Sequence, residues 1–175
     1  EIITALQGIK NKLGPEVELI YEKAINFTND TLLAYANVSN QYSWEGKPGF
    51  KAEYYNNVAL RGEPEMVRME KSVDHLWQEG EAVVGRIRAN NFSARYSAQY
   101  KADEDGYITF EIEADDGYRF FVNDKEVLNA WQSNRWGART YKLDTKKDAS
   151  YKIVVEYWQG EGKANVHLRA GLLEK

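Results

Sequence analysis

The chain has 175 residues, with 23 Lys and Arg against 27 Asp and Glu, and contains no cysteine. At 43% hydrophobic and 29% charged it has the make-up of a soluble globular protein: one ordinary domain, or one domain and a fragment. The missing cysteine excludes a disulfide scaffold and a thiolate nucleophile; the mildly negative charge, with no basic run, argues against a nucleic-acid surface; and no stretch nears the ~18 apolar residues of a membrane span.

Two regions follow in chain order. In residues 1–47, Ile2, Leu6, Ile9 and Leu13 put an apolar stripe on one helix face, and Gly14-Pro15 stops that helix. Val17, Leu19 and Tyr21 then alternate as a strand, and the polar run from Asn26 to Lys47 reads as an extended connection. One helix and one strand cannot bury their apolar faces alone. This α/β fragment is therefore expected to dock elsewhere, and the chain, which opens at Glu1 in mid-pattern with no leader, is expected to be a piece of a longer protein.

Residues 48–175 alternate with period two. Phe92, Ala94, Tyr96, Ala98 and Tyr100 form one apolar row, and Ile108, Phe110, Ile112 and Ala114 another. Ile153, Val155 and Tyr157 repeat the pattern, as do Ala164, Val166, Leu168 and Ala170. Such alternation means strands with one buried face. Asp105-Gly106, Asp116-Gly117, Asn123-Asp124 and Gly160-Glu161-Gly162 supply the turns. The expected fold is mainly β, an antiparallel sandwich or barrel. Aromatic residues make up 13% of the chain; most should be core, and any exposed ones suit flat ligands such as sugar rings.

Several chemistries lack their residues. His75 and His167 are the two histidines, neither with a second one at metal-ligand spacing, so zinc is not expected. No G-x-S-x-G occurs, and Gly160 and Gly162 lack a third glycine for a dinucleotide loop. The carboxylates Asp115 and Asp116 end one strand, with a hairpin expected to return at once. They can orient sugar hydroxyls, supply two oxygens to calcium, or cap the loop by accepting backbone N–H groups. Adjacent carboxylates do not face each other across a substrate as those of a glycosidase do. Downstream, Trp131, Asn134, Arg135 and Trp136 combine ring faces for stacking on pyranoses with donors for their hydroxyls. The other reading is that a tryptophan plugs the end of the sandwich; one of the two is expected buried and the other exposed.

The stretches Gly49-Phe50-Lys51-Ala52-Glu53-Tyr54-Tyr55, Asn91-Phe92-Ser93-Ala94-Arg95-Tyr96, Ala114-Asp115-Asp116-Gly117-Tyr118-Arg119-Phe120-Phe121-Val122 and Val154-Val155-Glu156-Tyr157-Trp158-Gln159-Gly160 resemble the protective-antigen-type domain. That domain is named for the anthrax toxin component and occurs also in yeast flocculins and glycosidases. The resemblance covers about 49–173 and implies a β-sandwich. Residues Ile3–Gly14 with Val17–Tyr21 resemble, more briefly, part of the α/β sandwich domain of family 3 glycoside hydrolases. Some members, β-glucosidases among them, carry a protective-antigen-type domain inserted there.

This pair of resemblances implies a non-catalytic attachment to a retaining β-glucosidase-like enzyme, shaping the active-site entrance or binding an outer sugar unit. No part of the chain resembles the catalytic barrel, so it is expected to be inactive alone. In calcium-dependent flocculin lectins the position of Asp115-Asp116 is a cis-linked pair ligating calcium. A calcium-dependent lectin or adhesin module is thus the alternative, and a purely structural insert mediating oligomer contacts a third. The preferred reading needs no cofactor. It implies a β-glucoside or oligosaccharide and the parent's remaining domains as partners, with neither nucleic acid nor membrane. Sequons at Asn26, Asn29, Asn37 and Asn91 allow a secreted eukaryotic origin, and a periplasmic or secreted parent is expected because polysaccharide fragments are met outside the cytosol.

Overall fold

Ten-residue runs of alternating residues can pay for strand formation only by burying their apolar side, and two such sides facing each other make a sandwich. The computed structural model, which describes residues 12, 34–35, 41–80, 85–132 and 137–171, has this form. The chain divides into two units, 1–30 and 31–175. Of the first only Lys12 is described, so the helix expected over Ile2–Leu13 and the strand at Val17–Tyr21 lie outside the described residues.

In the second unit the strands are β1 (Ala34–Tyr35), β2 (Tyr42–Trp44), β3 (Lys47–Pro48), β4 (Phe50–Tyr55), β5 (Met66–Glu70), β6 (Asp74–Trp77) and β7 (Phe92–Lys101). There follow β8 (Gly106–Asp115), β9 (Gly117–Val122), β10 (Lys125–Asn129), β11 (Arg139–Thr145), β12 (Ser150–Gln159) and β13 (Ala164–Gly171). A five-stranded sheet runs β1-β13-β8-β11, with β6 also on β13. An eight-stranded sheet runs β10-β9-β12-β7-β2-β3, with β4 on β7 and β5 on β4. Every pairing is antiparallel. The β1 and β2 segments pair with β13 and β7, so the sheets draw strands from ahead of residue 48. Among the described residues no helix is long and apolar enough to cross a membrane.

The four alternating rows read from the sequence become β7, β8, β12 and β13, and their apolar members are buried, save the half-buried Ala170. Between the sheets Phe110 of β8 meets Phe120 of β9 with ring centroids 5.3 Å apart, and Tyr100 of β7 meets Phe110 at 5.8 Å. Tyr54, Tyr96, Tyr118, Tyr157, Phe50, Phe92, Phe110 and Phe120 are all fully buried, each contributing about 1.5–3 kcal/mol of burial. The aromatic excess is therefore mostly core.

One expected turn is different. Asp115-Asp116 does not lead into a hairpin: β8 pairs with β11 and β13, while β9 pairs with β10 and β12. The chain instead steps from one sheet to the other there. Both strands keep partners through the step, since Asp115 lies opposite Asn165 and Gly117 opposite Trp158. Asn123-Asp124 is by contrast a true two-residue hairpin loop, with Val122 opposite Lys125. Its φ angles of 49° and 64° are those of a type I′ turn.

Candidate functional site

Three chain segments meet at one end of the sandwich: the β8-to-β9 step, the turn after β10, and the β12-to-β13 step. Their closeness is possible because residue 117 is glycine. A Cβ there would sit 2.1 Å from Trp158 Nε1 and 2.7 Å from the Trp131 carbonyl oxygen. The Trp158 indole N–H donates to that same carbonyl at 2.8 Å, which ties the β10 turn to β12. Asn129 Oδ1 accepts from Trp131 N at 2.9 Å and shapes the turn locally.

The two aspartates have separate duties. Asp116 Oδ2 accepts the Gly160 N–H at 2.7 Å, joining the two inter-sheet steps. This is loop capping, but between segments 44 residues apart rather than within one turn. Among the described residues no donor reaches the Asp115 carboxylate. Burial, and then the neighbouring Asp116 charge, push its carboxyl above the ordinary carboxylate value. The peptide joining them is cis. Beneath them, Tyr157 Oη lies 2.5 Å from the Asp115 carbonyl oxygen and 3.0 Å from Gln159 Oε1. Burial, and then the Asp116 and Asp115 charges, raise that hydroxyl far above its ordinary value, so it stays a donor. Gln159, wholly buried, donates through Nε2 to the Glu161 and Lys163 carbonyls at 3.0 and 3.2 Å.

Trp131 is half-buried, its ring 6.5 Å from that of Trp158. The Arg119 guanidinium lies over Trp131, 4.2 Å from the ring centroid. Arg119 is itself held by Glu156, Nη2 to Oε2 at 2.5 Å. One ring face is thus backed by a fixed cation. Trp131, Asp115 and Asp116 consequently share one rim. Asn134, Arg135 and Trp136 lie outside the described residues, and with them the expectation that one tryptophan is buried and the other exposed.

Tyr157, Gln159, Arg119 and Trp158 were not singled out as site residues from the sequence. Gln159 had a readable sign: it continues the inward row Ile153, Val155, Tyr157, where a polar side chain is out of pattern. Arg119 had none, because its stacking partner is twelve residues away in a turn.

Calcium takes ~6–8 oxygens. Among the described residues no group of three acidic or histidine side chains is placed to hold a metal ion. Asp116 Oδ2 also accepts from Gly160 N, and the described acidic side chains do not by themselves make up a calcium shell. Nor do the histidines offer a metal site: His75 Nε2 is 2.6 Å from Glu70, and His167 Nδ1 is 2.8 Å from Asp74.

The PA14 domain family matches residues 46–173, the same stretch that carries the protective-antigen-type resemblance. The chain belongs to that family. It is 26% identical over 178 residues to a β-glucosidase of Kluyveromyces marxianus, covering 91% of this chain and 20% of that protein. It is 23% identical over 155 residues to a xylan 1,4-β-xylosidase of Xylanibacter ruminicola, covering 88% and 17%. The chain thus spans about a fifth of the length of these curated relatives. The solved K. marxianus β-glucosidase in complex with glucose matches with a TM-score of 0.57 at 22% identity, over 73% of this chain and 16% of that one. An anti-sigma factor domain-containing protein from Clostridium clariflavum matches with a TM-score of 0.65 at 24% identity, over 70% and 41%. At these identities the two solved structures share the PA14 fold with this chain.

Proposed function

We propose that this PA14 domain is a non-catalytic saccharide-contacting attachment of an exported, retaining β-glucosidase-like enzyme of glycoside hydrolase family 3. Its rim shapes the entrance to the parent's active site. The observation that carries this reading is the pairing of Trp131, backed by Arg119, with an Asp115 carboxylate that no described donor occupies. A ring face for the apolar side of a pyranose and an acceptor for its hydroxyls are what an outer sugar unit requires. Asn134, Arg135 and Trp136, which follow Trp131 within five residues, are kept in this proposal as saccharide-contacting residues. The relatives named for β-glucosides and xylans support the substrate class.

Bond-breaking belongs to the parent. A glycosidase needs two carboxyls ~5–9 Å apart on opposite sides of the bond, whereas the adjacent Asp115 and Asp116 are directed to loop capping and the rim. The test is an NMR titration of the chain with cellobiose and xylobiose, with and without EDTA. Shifts centred on Asp115, Asp116 and Trp131 that persist in EDTA, and weaken about ten-fold in Trp131→Ala, are expected. Rim shifts abolished by EDTA establish the calcium-dependent lectin instead, and hydrolysis of an aryl glucoside by the chain alone overturns the reading.

A further inference from the structure

The outer face of the eight-stranded sheet holds a depression of about 390 Å³, away from the Asp115–Asp116 rim. Its place follows from strand register. Phe121 of β9, Val154 of β12, Ser97 of β7 and Lys51 of β4 form one cross-strand row. Because alternate residues share a face, the row on one side is Arg119, Glu156, Arg95 and Glu53. On the other side stands Lys152 with Asp124. Small side chains in the middle of the first row leave the hollow: Ser97 and Val154 are its floor. Phe121 closes one end. Trp44, under the Lys51 ammonium at 5.9 Å, closes the other. The two rings stand about three strand spacings apart, roughly 14 Å.

The charges around this floor are paired in place, with Glu156 shared by two arginines. Glu156 accepts from Arg95 Nη2 at 2.8 Å and Nε at 3.0 Å through one oxygen, and its other oxygen is ion-paired with Arg119 Nη2. Glu53 pairs with Lys51 at 2.9 Å and Asp124 with Lys152 at 2.6 Å. Every charge here already has an opposite partner, and four cations against three carboxylates leave a net charge of only +1. A neutral ligand finds oriented donors and acceptors on two sides, aromatic faces at both ends, and a volume within the ~300–1,000 Å³ of small-molecule sites. Molecules with hydroxyls around an edge and C–H faces above and below are pyranoses.

We propose that this trough is a second saccharide site, taking a neutral mono- or disaccharide, separate from the rim. It goes beyond the function proposed above; the two sites share the Arg119–Glu156 pair but are read out through different residues, so each can fail alone. In the rim titration, the assignment requires that cellobiose or xylobiose also shift the amides of Ser97, Val154 and Phe121 and the Trp44 indole N–H. Trp44→Ala and Phe121→Ala should each weaken those shifts about ten-fold, and in Trp44→Ala, which touches no described rim residue, the rim shifts should keep their midpoint. Asp115→Asn should leave the trough shifts unchanged. The wild-type map needs no variant, so a misfolded substitution does not remove the test. Shifts confined to the rim up to about 50 mM sugar, or trough shifts of full strength in both alanine variants, overturn the second site and leave the rim intact. Shifts confined to the trough uphold it and sink the rim.

Discussion

The short strand β9 is bounded by two turns of nearly the same composition and opposite construction. At its C-terminal end Asn123-Asp124 is a self-contained reversal: two residues with positive φ join two strands of one sheet. At its N-terminal end Asp115-Asp116-Gly117 passes the chain between sheets. It is held by Gly160, Tyr157, Trp158 and Trp131, all from elsewhere in the chain. The first turn is specified by two residues. The second exists only when three segments are assembled, which is also why it makes a rim.

If that contrast is right, substitutions at the two ends should differ in size and character. The largest effect is expected from Gly117→Ala. The new Cβ meets the Trp158 indole and the Trp131 carbonyl, neither of which can retreat without breaking their mutual hydrogen bond. A loss of about 3 kcal/mol in urea unfolding, with displaced Trp131 and Trp158 indole resonances, is the expected result. A loss under about 1 kcal/mol would show the rim to be far looser than described.

Asn123→Ala should cost less, about 1–2 kcal/mol, through its positive φ and the lost acceptor for Lys152 N. Its effect should stay local, leaving the indole resonances in place. Equal disturbance of the indoles by both variants would erase the distinction between the two turns.

The smallest effect concerns pH. Burial and Asp116 raise the Asp115 carboxyl in the folded state. The folded chain therefore binds more protons than the unfolded one between the ordinary carboxylate value and the raised one. Stability is lost as pH rises through that window, and the penalty is complete above it. Asp115→Asn should match the wild type in acid and exceed it slightly at neutral pH. Urea midpoints at the two pH values test the sign; an Asn variant less stable at neutral pH would mean the carboxylate is stabilised by groups beyond those described here.

Much of this protein was legible before its structure. Strands β7, β8, β12 and β13 follow from alternation alone, because a period of two admits one buried face whatever the neighbours are. The Asn123-Asp124 hairpin was legible for the same local reason. The β8-to-β9 step was misread as a hairpin because Asp-Gly favours tight reversals, and only partner choice decides whether the chain returns to the same sheet. At the rim, Asp115, Asp116 and Trp131 were found by residue type. The support of Arg119 and Trp158 was not, since it rests on contacts 12 and 27 residues long in sequence.

The trough marks the same boundary from the other side of the sheet. Ser97, Val154, Phe121 and Trp44 are spread over 111 residues of sequence with no motif joining them, and they become one surface because β9, β12, β7, β2 and β4 are neighbours in the order the sheet imposes. By itself the sequence determined which residues turn inward, since that depends on each strand's own alternation. Which outward residues meet was decided only by the tertiary structure, since lateral neighbours are set by strand order and register across the whole chain.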